Sequence, residues 1–213
     1  MKKNIFLRTL LGGAVLVCAL LFTSCIDVVQ SVTLKNGAFH VSLQVTLSKD
    51  LLALVGEDGA DFINEIDADD MPAQLSVKQI NTDTEIGIFC SGIIDPLTQD
   101  TSLQEMIPLI EGTTVTLALP LGEGLSDGMS NASLSNEMAQ SVANALFSSA
   151  KYRILVGKSL APHITRAFLS DGTLRPQTVE VNFYDLSDMY CIELPLSVFL
   201  QDVPYDRLVL QTR

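Results

Sequence analysis

Residues 28 to 48 constrain the fold most, because two stretches of strand character flank Asn36-Gly37. In the second stretch Phe39, Val41, Leu43, Val45 and Leu47 alternate with Ala38, His40, Ser42, Gln44 and Thr46. A period of two puts one set on a buried face and the other in water, which a helix cannot do. Asn-Gly supplies the two positive-φ residues that a tight hairpin needs, so Val28 to Lys35 and Ala38 to Ser48 are read as paired antiparallel strands.

The same reasoning extends along the chain. Strands are expected near Gln74 to Ile80, Glu85 to Ser91, Thr113 to Leu119, Tyr152 to Val156, Ile164 to Leu169, Thr178 to Tyr184, Tyr190 to Leu196 and Arg207 to Gln211. Leu103 to Ile110 is ambiguous. Helical spacing appears in three places. Ser48 stands as an N-cap before Leu51, Leu52, Leu54 and Val55, with Gly56 as the stop, and Ala60 to Ile66 gives a second short segment. Leu134, Met138, Val142 and Leu146, at steps of four behind Ser133 or Ser135, make the best amphipathic helix. Short turns favour antiparallel neighbours, so the expected class is α+β, a mostly antiparallel sheet with a few amphipathic helices packed on one face.

The N-terminus speaks to location. Lys2, Lys3 and Arg8 precede an apolar run of 13 positions from Leu10 to Phe22, then Thr23-Ser24-Cys25. A spanning helix needs roughly 20 apolar residues, so the run reads as an export signal removed in the mature protein. Leu21-Phe22-Thr23-Ser24-Cys25 resembles the lipobox of bacterial lipoproteins, which implies lipidation of Cys25. The expected organisation is a signal over residues 1–24 and a single envelope domain over 25–213. The domain would lie outside the cytoplasm, lipid-anchored to the cell membrane or outer membrane. Only Ile26-Asp27 separates Cys25 from the first strand.

Cleavage before Cys25 removes 24 of the 213 residues, leaving 189, enough for one sizeable core. It also removes three basic residues and no acidic one, so the formal charge moves from −12 to −15. That sign opposes phosphate backbones and anionic headgroups, which excludes nucleic acid as a partner and leaves membrane attachment to the acyl chains. Cys90 and Cys191 then remain as an even pair in a compartment that permits disulfides. Cys90 shares an apolar strand face with Ile86 and Ile88, whereas Cys191 alternates away from Ile192 and Leu194. A Cys90–Cys191 bond and two inert thiols are both open readings.

Motifs that would carry catalysis fail on context. Gly124-Leu125-Ser126-Asp127-Gly128 matches the nucleophile-elbow pattern, but Pro120 and Gly122 break the strand it needs, and Asn131 delays the helix. His40 and His163 are isolated, and no second ligand stands at metal-binding spacing, so neither a metal nor another cofactor is expected. Asp67, Asp69 and Asp70 begin like a calcium loop, but Met71-Pro72 interrupts it, and a solvated acidic turn is the better reading.

Cys25-Ile26-Asp27, Leu34-Lys35-Asn36-Gly37-Ala38-Phe39-His40-Val41-Ser42 and Leu47-Ser48-Lys49-Asp50-Leu51 together resemble the start of bacterial LppM-type lipoproteins over roughly 35 residues. The resemblance implies an α/β envelope domain associated with envelope lipids or glycolipids. It assigns no functional residue. The expected function is therefore a non-enzymatic lipoprotein domain that presents a sheet or groove to an envelope protein or other envelope component. The alternative is a carrier of an apolar or lipid-like small molecule, with Met138, Val142 and Phe147 as candidate cavity residues between sheet and helix.

Overall fold

The computed structural model describes residues 26–55, 72, 74–119, 150–173, 176–200 and 205–213. The hairpin forms as the sequence requires. Strand β1 (Ile26–Lys35) pairs in register with β2 (Ala38–Ser48), from Ile26 opposite Leu47 to Lys35 opposite Ala38. Asn36 and Gly37 hold φ of 53° and 80°, the left-handed pair expected of a two-residue turn. Helix α1 (Lys49–Val55) follows at once, with Ser48 Oγ accepting from the Asp50 amide at 3.2 Å. Leu52 buries against Ile86, with Leu47 packed beside them.

The remaining strands are β3 (Leu75–Asn81), β4 (Glu85–Ile94), β5 (Leu109–Glu111), β6 (Thr114–Ala118), β7 (Lys151–Gly157), β8 (Ile164–Ser170), β9 (Thr178–Glu180), β10 (Phe183–Asp185), β11 (Met189–Pro195) and β12 (Arg207–Thr212). They form a seven-stranded sheet ordered β10-β11-β7-β1-β2-β4-β3 and a five-stranded sheet ordered β5-β6-β12-β8-β9. Among the described residues every pairing is antiparallel except β1 with β7, a parallel contact at the centre of the larger sheet.

The expected α+β class, with several amphipathic helices covering one sheet face, is thereby corrected: the described residues are mostly β, about 60% strand. The cover on the larger sheet is the smaller one. Val115 and Leu117 on β6, Ala167 and Leu169 on β8, and Leu208 and Leu210 on β12 alternate inward and join one core with Val28, Val32, Tyr152, Ile154, Val156, Ile192 and Leu194 of the larger sheet. The inward side chains of the two sheets interdigitate in one close-packed layer between them. Besides α1 the described residues hold one helical turn, α2 (Thr101–Gln104), and a 3-10 segment, Leu196–Leu200. The helices expected at 60–66 and 134–150 lie outside the described residues, except for Ala150, which is buried and stands in no helix.

The single strand expected from Thr178 to Tyr184 is two. β9 pairs with β8 in the smaller sheet and β10 with β11 in the larger. Between them the Val181 amide donates to the Ala167 carbonyl at 2.9 Å, so a short crossover stitches one sheet to the other.

Candidate functional site

A cleft of about 530 Å³ opens in the corner between the two sheets. Its first wall is the core-facing side of the hairpin. Register places Gln30 opposite Leu43 and Val32 opposite Val41, and burial falls from Phe39 and Val41 to the partly covered Leu43 and Val45. The second wall belongs to the smaller sheet. Thr116 and Ala118 alternate with the buried Val115 and Leu117, and Arg207 pairs with Ala118, so these residues occupy the side away from the core.

The third wall is the segment around Leu103 to Ile110 that is ambiguous in the sequence, together with the turn that leads into it. Asp95 Oδ1 accepts the Leu97 amide at 2.8 Å, and Asp100 Oδ1 accepts the Ser102 amide at 3.1 Å and its hydroxyl at 2.5 Å. The Ser102 hydroxyl holds the Asp100 carboxyl below the usual aspartate range. Leu103, fully buried, pins the turn to the core, which leaves Met106 and Leu109 facing the cleft at 36% and 53% exposure. Leu109 then starts β5 opposite Thr116.

The back of the corner is a polar bridge that runs from β7 through β1 of the larger sheet to β6 of the smaller one. The Tyr152 hydroxyl donates to Gln30 Oε1, and Gln30 Nε2 donates at 3.5 Å to the Ala118 carbonyl. Tyr152 is fully buried against Phe199, with ring centroids 5.7 Å apart, and burial pushes its hydroxyl pKa far up. The group is a fixed donor rather than a titrating one. Polar character returns at Glu105, Asp206 and Arg207. Asp206 Oδ1 is buried with no hydrogen-bond partner among the described residues, and Arg207 Nε stands 3.7 Å away. The corner can thus hold an apolar body against Leu43, Met106, Leu109 and Leu119 and meet a polar group beside it.

Sequence reasoning did not single out the cleft residues. Met106, Leu109 and Ile110 were the available signal, apolar side chains in an ambiguous segment, and they are now among the exposed large hydrophobics. The candidate cavity residues Met138, Val142 and Phe147 lie outside the described residues, as do Cys25, the Gly124–Gly128 loop and the acidic cluster from Glu65 to Asp70. His40 sits half-buried on the larger sheet's outer face, and His163 is exposed with φ of 55° before β8; the structure brings neither to the cleft.

Cys90 and Cys191 are both free. Cys90 lies opposite Leu43 and faces inward, whereas Cys191 lies opposite Leu155 and faces outward. β4 and β11 are also separated by β2, β1 and β7, or about 19 Å at the usual strand spacing. A disulfide cannot reach across that distance or through the sheet. Burial raises both thiol pKa values, and Glu193 adds to the effect at Cys191.

On the outer face Arg153 Nη2 reaches both Asp27 oxygens at 2.6 and 2.5 Å, across the parallel β1–β7 pair. Both side chains are partly exposed, so the pair contributes about 0–1 kcal/mol and serves register more than stability. Among the described residues no group of three or more His, Cys, Asp or Glu could hold a metal ion, and no helix is long and apolar enough to cross a membrane. A scan against protein-family models and a search of curated proteins each return no match for the chain.

Proposed function

We propose that the chain is a non-enzymatic binding domain of the bacterial envelope, anchored by lipidated Cys25, and that the corner cleft is where it takes its partner. The observation that carries the reading is the cleft itself. Its volume of about 530 Å³ falls within the range of small-molecule sites, and apolar side chains from three separate segments converge on it. The occupant that fits is an envelope component with an apolar body and a polar end, the first packed on Leu43, Met106 and Leu109 and the second near Asp206 and Arg207. The export signal and the Cys25 lipobox supply the location.

The test is saturable binding of N-phenyl-1-naphthylamine, an apolar fluorescent probe, to residues 26–213. Fluorescence is expected to saturate in the parent domain and to fall to background in Met106→Glu and Leu109→Glu, both partly exposed and therefore tolerant of a charge. Equal binding by the variants at an unchanged urea midpoint would place the site elsewhere.

A further inference from the structure

We propose that the end of the seven-stranded sheet at which β1 begins is the surface this protein sets against the headgroup layer of its bilayer. The inference rests on lipidation of Cys25. Neighbouring Cα atoms are about 3.8 Å apart across a trans peptide, and β1 starts at Ile26, so an anchored Cys25 leaves no tether. Whatever lies level with Ile26 lies at the membrane.

Register identifies that level. Ile26 stands opposite Leu47, Leu47 opposite Ile86, and Ile86 opposite Asn81. On the other side Asp27 is beside Lys151, which stands opposite Pro195. The β3–β4 turn is tied to α1 by the Lys49 amide on the Thr84 carbonyl at 2.9 Å and by Lys49 Nζ on the Thr82 carbonyl at 2.5 Å. Six strand ends, from β3 to β11, thus form one edge about 24 Å wide at ordinary strand spacing. An edge this broad, joined to the anchor without a linker, cannot swing freely as a domain on a long tether does.

At about 3.3 Å per residue the Asn36-Gly37 turn stands about 33 Å further along β1, and the cleft residue Gln30 about 13 Å along. The cleft therefore opens just above the headgroups, within reach of material at the bilayer surface. Among the described residues of this edge Lys151 is paired with Glu193, and Lys49, which donates to the neutral Thr82 carbonyl and keeps its charge, is outnumbered by Asp50, Asp83 and Glu85, so the contact depends on the anchor rather than on attraction to anionic lipid.

The experiment uses the full chain, made in a bacterium with its own signal, extracted and placed in phosphatidylcholine vesicles carrying a headgroup-linked energy acceptor. A donor is attached at Thr84→Cys or Lys35→Cys in a Cys191→Ser background; both positions are exposed, and Cys90 is buried. The donor at position 84 is expected to be quenched several-fold more than the donor at 35. A ten-residue Gly-Ser insertion between Cys25 and Ile26, with a reach of about 17 Å, is expected to erase most of that contrast. Intact mass of the same samples separates the two premises. Acylated protein quenched equally at both positions, or unaffected by the insertion, overturns the orientation alone, whereas a chain without acyl mass overturns the anchor and the orientation with it.

Discussion

Replacing Tyr152 by Phe probes the joint on which the cleft is built. The ring stays against Phe199, so the packing cost is small and the change is one hydroxyl. Its loss leaves Gln30 Oε1 without the donor it has in the parent, in a part-buried position at the back of the cleft. An orphaned acceptor of this kind costs about 1–3 kcal/mol, and water entering the open cleft brings the expected value to about 1–2. Gln30→Leu strands the fully buried Tyr152 hydroxyl instead, at about 2–3 kcal/mol. The double variant removes both orphans, so its cost should fall short of the sum by about 1 kcal/mol or more. Urea unfolding of residues 26–213 at constant slope measures each term. Additivity within about 0.5 kcal/mol would show that the two side chains are not coupled, and the bridge would lose its place in the cleft's architecture.

Gly87→Ala would place a Cβ 2.0 Å from the Val45 carbonyl oxygen and 2.8 Å from the Thr46 Cα. Backbone must move to admit it, and a loss of about 3 kcal/mol or more is expected, seen as a fall in melting temperature of about 6–12 °C. Cys90 and Cys191 should keep the reduced mass after export to an oxidising compartment. With thiol pKa values raised in the fold, alkylation should be slow at neutral pH and accelerate only above the ordinary thiol value of about 8.5. The linked stability is fully present below that value and is lost as pH rises through the folded pKa. Asp100 behaves in the opposite sense. Its lowered pKa means that capping of α2 is present above the ordinary aspartate value of about 3.9 and is lost as pH falls through the folded value. Asp100→Ala should speed hydrogen exchange at the Ser102 amide and weaken probe binding while leaving the urea midpoint nearly unchanged.

Most strands were legible because period two and turn residues are local. The Asn36-Gly37 hairpin, the Ser48 cap and the inward set Tyr152, Ile154 and Val156 all follow from neighbours in sequence. What local pattern cannot carry is partnership. Nothing near Lys151 signals that β7 runs parallel to β1, or that β6 lies beside β12, because those contacts join segments about 90 to 125 residues apart. The same limit explains the class. An alternating face is equally apolar under a helix or under a second sheet, so the pattern alone does not name its cover. The cleft was hidden for a related reason: Leu43, Met106, Leu109 and Arg207 converge only after both sheets have formed. Ser102 to Leu109 is irregular because it passes from one helical turn through a bend into β5 and turns Leu103, Ile107 and Pro108 inward, so no single period runs through it.

Native mass spectrometry of residues 26–213, exported to an oxidising compartment and released gently, tests the binding cleft most directly when wild type and Met106→Glu are compared. A co-purifying mass of about a few hundred daltons on the wild type, lost on denaturation and missing from the variant, is the expected result. The same mass on both proteins would contradict the cleft, and a bare wild-type domain that also binds nothing from an envelope extract would contradict a binding role for it.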